Sequence, residues 1–320
     1  AHAVLHGKHP ETVQKWPHLL ERLKQRAHST LPVFQTTSAI TSNMTPDYYA
    51  MAFHKIKHYI QEGDCYQVNL AQRFHTHAQG SGFNAYKKLR ILNPAPFCAY
   101  LNLPGVEILS TSPERFLKVQ DGHVETKPIK GTRPRSSNPD VDEKNAILLR
   151  ASLKDRAENL MIVDLLRNDL NKNCLPGSVK VPALFDIESY VNVHHLVSTV
   201  IGTLASGRNA IDLLRGCFPG GSITGAPKLR AMQIIEELEP NRRGVYCGAI
   251  GYIDYNRNMD TNIAIRTLTY NQGLIRCFAG GGIVSDSRME EEYQETFIKA
   301  RAMLSLLSDS GSGHDFEFPA

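Results

Sequence analysis

Six cysteines stand alone at positions 65, 98, 174, 217, 247 and 277, and no CxxC pair occurs in the 320 residues. That spacing signals neither a zinc site nor a disulfide framework. Free thiols fit a reducing compartment, so a cytoplasmic protein is expected. No run of 18 apolar residues is present, so no membrane-spanning helix is expected and no membrane partner. Nucleic-acid binding is not signalled either: the net charge is only +4, and no basic stripe with interleaved aromatics occurs. A mildly positive chain of ordinary globular composition suits a small anionic substrate.

A complete P-loop is also missing. "FPGGSITGAPKLRAM" (218–232) has Gly220 and Gly225 at P-loop spacing, but Lys228 comes two residues too late and no Ser or Thr follows it. What remains is a glycine-rich turn leading into a helix with Pro227 near its start. Its free N–H groups, with the Ser222 and Thr224 hydroxyls, could take an anion. "AGGGIV" (279–284) could likewise let backbone approach a ligand. Tight turns made for packing account for both equally well.

The strand signals are numerous. "CYQVNLAQRF", "FCAYLNL", "VEILSTS", "HHLVSTVIGTL", "VYCGAIGYIDY", "TNIAIRTLTY" and "LIRCFAGGGIV" have β character, and 256–258 and 271–273 read as hairpin connections. "AHAVLHG" at the start has the same look. Thr45-Pro46 reads as a helix cap, and helical patterns cover about 11–26, 46–62, 141–170, 226–238 and 289–307. Strands in hairpins rather than alternating with helices point to an antiparallel α+β architecture. "SDSGSGHDFEFPA" (308–320) has no periodicity and reads as a disordered tail.

Two helical patterns carry carboxylates at i, i+3: Asp155 with Glu158, and Glu292 with Glu295. Each pair shares one helical face. If the faces oppose one another, repulsion among four carboxylates is relieved by a hard divalent cation such as Mg²⁺; solvated surface is the competing reading. In "KPIKGTRPR" (127–135), Lys130 sits in a stretch held non-helical by two prolines and a glycine. Arg266 lies mid-strand among apolar residues in "IAIRT", where a buried guanidinium needs a carboxylate partner from protein or substrate. His195 of "VHHLVS" is either a satisfied core histidine or a site residue.

Taken together, "SPERF", "PIKGTRPR", "DRAENLMIVDLLRNDL", "VHHLVS", "FPGGSITGAPKLRAM", "GAIGYI", "IAIRT", "AGGGIV" and "EYQETFIKAR", in this order from about 45 to 307, resemble the chorismate-utilising enzymes. The resemblance is greatest to the branch that makes aminodeoxychorismate, because anthranilate and isochorismate synthases have alanine where this chain has Lys130. Gln67 stands where isochorismate and salicylate synthases carry a water-activating lysine.

The resemblance implies two large, mostly antiparallel sheets packed face to face and flanked by helices. It implies a catalytic domain over 46–307, with 1–45 as the remnant of an N-terminal subdomain. Mg²⁺ would be held by Glu158 and Glu295, with Asp155 and Glu292 behind them. Glu114 would protonate the departing 4-hydroxyl of chorismate, and Lys130 would be the nucleophile. Thr132, His195, Ser222, Tyr252, Arg266, Lys299 and the amides of Gly280 and Gly282 would line the substrate pocket. Burial and the neighbouring Lys127, Arg133 and Arg135 would favour the neutral amine that a nucleophilic Lys130 needs. The product would be 4-amino-4-deoxychorismate, for p-aminobenzoate and folate synthesis. Since no GxCxG nucleophile turn is present, ammonia would come from a separate glutamine amidotransferase subunit. Anthranilate synthesis and a catalytically inactive binding paralogue are the alternatives.

Overall fold

The computed structural model describes residues 9–25, 31–190 and 193–310. Its strands are β1 (Gln35–Thr36), β2 (Thr41–Ser42), β3 (Gln67–Gln79), β4 (Phe97–Leu103), β5 (Val106–Ser112), β6 (Arg115–Gln120), β7 (His123–Thr126), β8 (Ile129–Pro134), β9 (Lys180–Ser189), β10 (Val193–Thr203), β11 (Gly225–Ala226), β12 (Ala249–Ile253), β13 (Met259–Ile263), β14 (Thr267–Asn271) and β15 (Leu274–Ile283). The helices are α1 (Glu11–Lys24), α2 (Pro46–Gln61), α3 (Gly82–Leu92), α4 (Pro139–Ala151), α5 (Leu153–Asn171), α6 (Ala210–Cys217), α7 (Lys228–Leu238) and α8 (Met289–Ser308).

The strands build two sheets. One has the order β1-β3-β15-β14-β5-β4, with β2 and β11 also on β3; the other runs β12-β13-β6-β7-β10-β8, with β9 on β10. Every pairing is antiparallel. One buried cluster joins Ala71 and Phe278 of the first sheet to Phe116, Val124 and Val200 of the second, with Val163 of α5 and Leu213 of α6. On the first sheet α3 and α8 contribute Leu89, Phe297 and Leu304, while α2 and α7 contribute Phe53, Ile56, Ile234 and Leu238. This is the expected α+β arrangement of two antiparallel sheets flanked by helices. Residues 31–45 belong to it, since β1 and β2 pair with β3.

Local chemistry sets several boundaries. Thr45 caps α2 by accepting from the Tyr48 N–H, with Pro46 in the first turn. The single helix expected over 141–170 is two, because Ser152 leaves helical geometry (φ −64°, ψ 111°) and caps α5 by accepting from the Asp155 N–H. "TNIAIRTLTY" is likewise not one strand. β13 and β14 lie in different sheets, and Arg266 turns the chain between them at φ +52°. Of "VYCGAIGYIDY", only Ala249–Ile253 is strand, with Cys247 at φ +66° before it.

Most of "KPIKGTRPR", Ile129–Pro134, is a strand. β8 pairs with β10, and the register passes from His195↔Thr132 to Leu196↔Lys130. Gly131, at φ +72°, is the skipped residue of a bulge, a conformation that glycine adopts without penalty. The expected tail boundary falls inside the last turn of α8; Ser310 is buried and its carbonyl accepts from the Thr36 N–H. The β-like "AHAVLHG" and residues 311–320 lie outside the described residues.

Candidate active site

Glu114 occupies the turn between β5 and β6 and is only 6% exposed. Its Oε1 accepts from the Ser222 hydroxyl at 2.7 Å. Burial pushes its carboxyl above the usual range, although Ser222, Lys130 and Lys299 each pull the other way. The result is a carboxyl biased toward its protonated form, suited to donating a proton. Ser222 rides on a short 3-10 turn, Gly221–Ile223. Its hydroxyl is committed to Glu114, and that of Thr224 to the Gly220 carbonyl at 3.0 Å.

The end of this glycine-rich loop answers the P-loop question. Lys228 bonds Asp169 Oδ2 at 2.5 Å and the Cys217 carbonyl at 2.8 Å. It ties α5, α6 and α7 together and is not a phosphate-binding lysine.

Opposite lie α5 and α8. Lys130 Nζ of β8 stands 3.9 Å from Glu158 Oε2. Lys154 reaches Glu292 at 3.8 Å, Lys299 reaches Glu295 at 2.5 Å, and Arg133 reaches Asp155 at 3.6 Å. Each of the four carboxylates therefore has its own cation. Burial raises the pKa of Glu158, and the nearby Glu295 and Asp155 add to the rise against Lys130 and Lys154. Glu292 is also raised, by burial first, while its Oε1 accepts from Ser287 at 2.7 Å. Glu295 moves the other way: burial raises it, but Lys299, Lys130 and Lys154 outweigh that and leave it low.

The cationic crowding expected around Lys130 is absent. Lys127 pairs with Glu188 at 2.6 Å and Arg135 with Asp142 at 2.9 Å, so with Arg133 on Asp155 each neighbour is neutralised by a carboxylate of its own.

Arg266 has no carboxylate within ion-pair distance among the described residues; it donates to the Lys299 carbonyl. Burial lowers its pKa to about 10. Such an uncompensated guanidinium suits an incoming carboxylate. Lys299 Nζ also donates to the Gly280 carbonyl at 3.0 Å. Since a strand residue's N–H and C=O point to the same side, the Gly280 N–H faces away from β3, and so does that of Gly282 two residues on. Between them, Gly281 leaves room for the carboxylates: a Cβ there would lie 2.9 Å from Glu292 Oε2 and 3.2 Å from Glu295 Oε1.

Thr132 and His195 are joined at 2.9 Å between Oγ1 and Nδ1. Burial, then Arg266, lowers the His195 pKa to about 4, leaving a neutral imidazole. Tyr252 stands apart: it is 65% exposed on edge strand β12, and among the described residues no hydrogen bond joins it to the cluster.

Among the described residues no three His, Cys, Asp or Glu side chains stand together as a closed metal cage. The donor set still fits Mg²⁺, which takes one or two carboxylates and completes its shell with water or substrate oxygen. Glu158 and Glu295 supply two, from different helices, with Glu295 close enough to raise the pKa of Glu158. Lys154, Gly281 and Ser287 are site components that residue patterns left unassigned; the glycine run was the only signal for any of them.

Residues 3–305 match the chorismate binding enzyme family. Aminodeoxychorismate synthase component 1 of Salmonella typhimurium is 53% identical over 285 residues, 89% of this chain and 63% of that protein. Anthranilate synthase component 1 of Aquifex aeolicus is 43% identical over 291 residues, covering 90% of this chain and 59% of that one. The crystal structure of anthranilate synthase component I from Streptococcus pneumoniae aligns with a TM-score of 0.82 at 35% identity, over 92% of this chain and 66% of that one. The menaquinone-specific isochorismate synthase of Escherichia coli, at 22% identity and a TM-score of 0.78 over 93% and 68%, shares the fold. The chain spans less than two thirds of the length of these curated relatives. With the family pattern running almost from end to end, the chain belongs to the chorismate binding enzymes.

Proposed function

We propose that the protein aminates chorismate to 4-amino-4-deoxychorismate in the pathway to p-aminobenzoate and folate, as the first component of an aminodeoxychorismate synthase. The observation that carries this is a half-buried amine beside a buried, protonation-prone carboxyl: Lys130 is close enough to Glu114 to act against the rise in its pKa. The greater identity to aminodeoxychorismate synthases than to anthranilate synthases supports the same reading.

Arg266 and the outward amides of Gly280 and Gly282 would hold a substrate carboxylate, with Lys299 beside them. Thr132 and neutral His195 would offer uncharged hydrogen bonds. Lys130 Nζ adds to C2 of the ring, the double bonds shift, and the C4–O bond breaks. The Glu114 proton goes to the departing oxygen, which leaves as water. Ammonia then bonds to C4, the double bonds shift back, the C2–N bond to Lys130 breaks, and the surplus proton returns to Glu114. Mg²⁺, held by Glu158 and Glu295 with Asp155 and Glu292 behind them, would supply electrophilic polarisation of the ring carboxylate. Ammonia would arrive from a glutamine amidotransferase subunit, and the protein would work in the cytoplasm.

Chorismate, Mg²⁺ and an ammonium salt given to the chain alone should yield 4-amino-4-deoxychorismate by chromatography. Without ammonia, mass spectrometry should find an adduct that Lys130→Ala abolishes. Anthranilate as the product would refute the assignment, and turnover with no adduct would refute the covalent step.

A further inference from the structure

One edge of β3 has a gap between its neighbours. β11 pairs with it at Gln67 and Val68, and β2 at Phe74 and His75. The backbone between is bonded nonetheless. The Asn69 carbonyl accepts from Arg243 Nη2 at 2.8 Å, and the Ala71 N–H donates to Glu239 Oε1 at 2.9 Å. Two side chains following α7 thus stand in for a strand.

Arg243 and Glu239 are joined twice, Nη2 to Oε1 at 2.6 Å and Nε to Oε2 at 2.9 Å. Arg243 Nη1 donates to the Ile223 carbonyl at 2.8 Å and to Cys247 Sγ at 3.5 Å. All five guanidinium hydrogens are therefore committed, and the side chains are only 12% and 3% exposed.

The backbone groups this pair holds come from two sides of the candidate site. Asn69 and Ala71 are the register partners of Gly282 and Gly280. Ile223 follows Ser222, whose hydroxyl holds Glu114. We infer that the Glu239–Arg243 pair is a positioning element that fixes how far the proton donor Glu114 stands from the amides of Gly280 and Gly282. This rests on the function proposed above only in that both ends act on one substrate. A buried ion pair is a poor way to gain stability alone, since apolar packing often does as well. A planar fork on a carboxylate can bond in three fixed directions at once; a lysine cannot.

The test is a mutant cycle in the full chain, with chorismate and ammonium, alongside melting curves. Arg243→Lys should lower kcat about tenfold or more through misplacement of Glu114, and should raise the chorismate KM through the glycine strand. In a Ser222→Ala background the kcat loss should shrink to about threefold or less, because the link to Glu114 is already cut. The KM change should persist there. Multiplicative kcat losses, or kcat and KM changes that both vanish in that background, overturn the inference. Should Arg243→Lys fail to fold, Glu239→Gln enters the same cycle with the same expectations. A wild-type chain that forms no aminated product counts against the reaction instead. The cycle is then read from chorismate affinity by calorimetry, where the Arg243→Lys loss must persist beside Ser222→Ala or the inference falls.

Discussion

The three consecutive glycines of β15 meet three different neighbours, and alanine at each should fail differently. A Cβ on Gly280 would lie 2.3 Å from the Leu70 carbonyl oxygen and 2.6 Å from Ala71 Cα. That is paired backbone that cannot yield. On Gly282 it would lie 2.3 Å from the amide of fully buried Gln67. On Gly281 its nearest neighbours would be the carboxylates of Glu292 at 2.9 Å and Glu295 at 3.2 Å. Ordinary contact lies near 3.5 Å, so those carboxylates must retreat by about 0.5 Å. Side-chain ends can do this cheaply, and a strand position gains about 0.5–1 kcal/mol on replacing glycine. Gly281→Ala should therefore melt within a few degrees of wild type, while Gly280→Ala should be strongly destabilised. The retreat nevertheless exceeds the roughly 0.2 Å within which metal–ligand distances hold, and disturbed outer ligands typically cost about 10–100-fold in metal affinity. Activity titrated with Mg²⁺ should need about 10–100 times more metal in Gly281→Ala. An unchanged Mg²⁺ requirement, or a melting point as low as that of Gly280→Ala, would refute the reasoning.

Further outcomes concern charge. Burial holds Glu114 above its ordinary pKa, so its contribution to stability is complete below the unfolded value of about 4.3 and is lost as pH rises through the folded value. Glu114→Gln should melt progressively higher than wild type from pH 4 to pH 8, and a constant difference would contradict this. His195, lowered to about 4, gives stability present above about 6.5 and lost as pH falls toward 4; His195→Gln should flatten that part of the melting-point profile, and an unaltered slope would exclude His195 as its source. Lys130 competes with any cation for Glu158. Lys130→Met should therefore bind Mg²⁺ several-fold more tightly by calorimetry without substrate, and weaker binding would show that the lysine does not oppose the metal.

The antiparallel α+β architecture was legible because its strands and hairpin turns are encoded locally. β4 and β5 coincide with the runs that predicted them. Whatever depends on the partner strand was not. Nothing local distinguishes "TNIAIRTLTY" as one strand from two strands in different sheets, since the break at Arg266 is a tertiary demand on one residue. β9 escaped because Pro182 interrupts its run and none of its residues is fully buried, and β8 because prolines masked its pairing with β10. In the site, the carboxylates announced themselves by spacing, but their partners did not. Lys154 is an ordinary helix lysine until α8 brings Glu292 to it. Ser222 read as a pocket lining; only the fold turns its hydroxyl onto Glu114.

Those partners change how the charges are to be understood. Repulsion among four carboxylates is not left for a metal to relieve, because Lys130, Lys154, Lys299 and Arg133 each sit on one of them. A divalent cation entering alone would overcharge this balanced set, and a dianion entering alone would exceed the single charge that Arg266 can meet. The two together add no net charge, so a site built this way favours joint occupancy over either one separately. It also ties the Lys130 amine to that event. Glu158 cannot hold Lys130 and share its charge with a cation to the same degree, so the hold on the Lys130 amine is weakest when both ligands are in place.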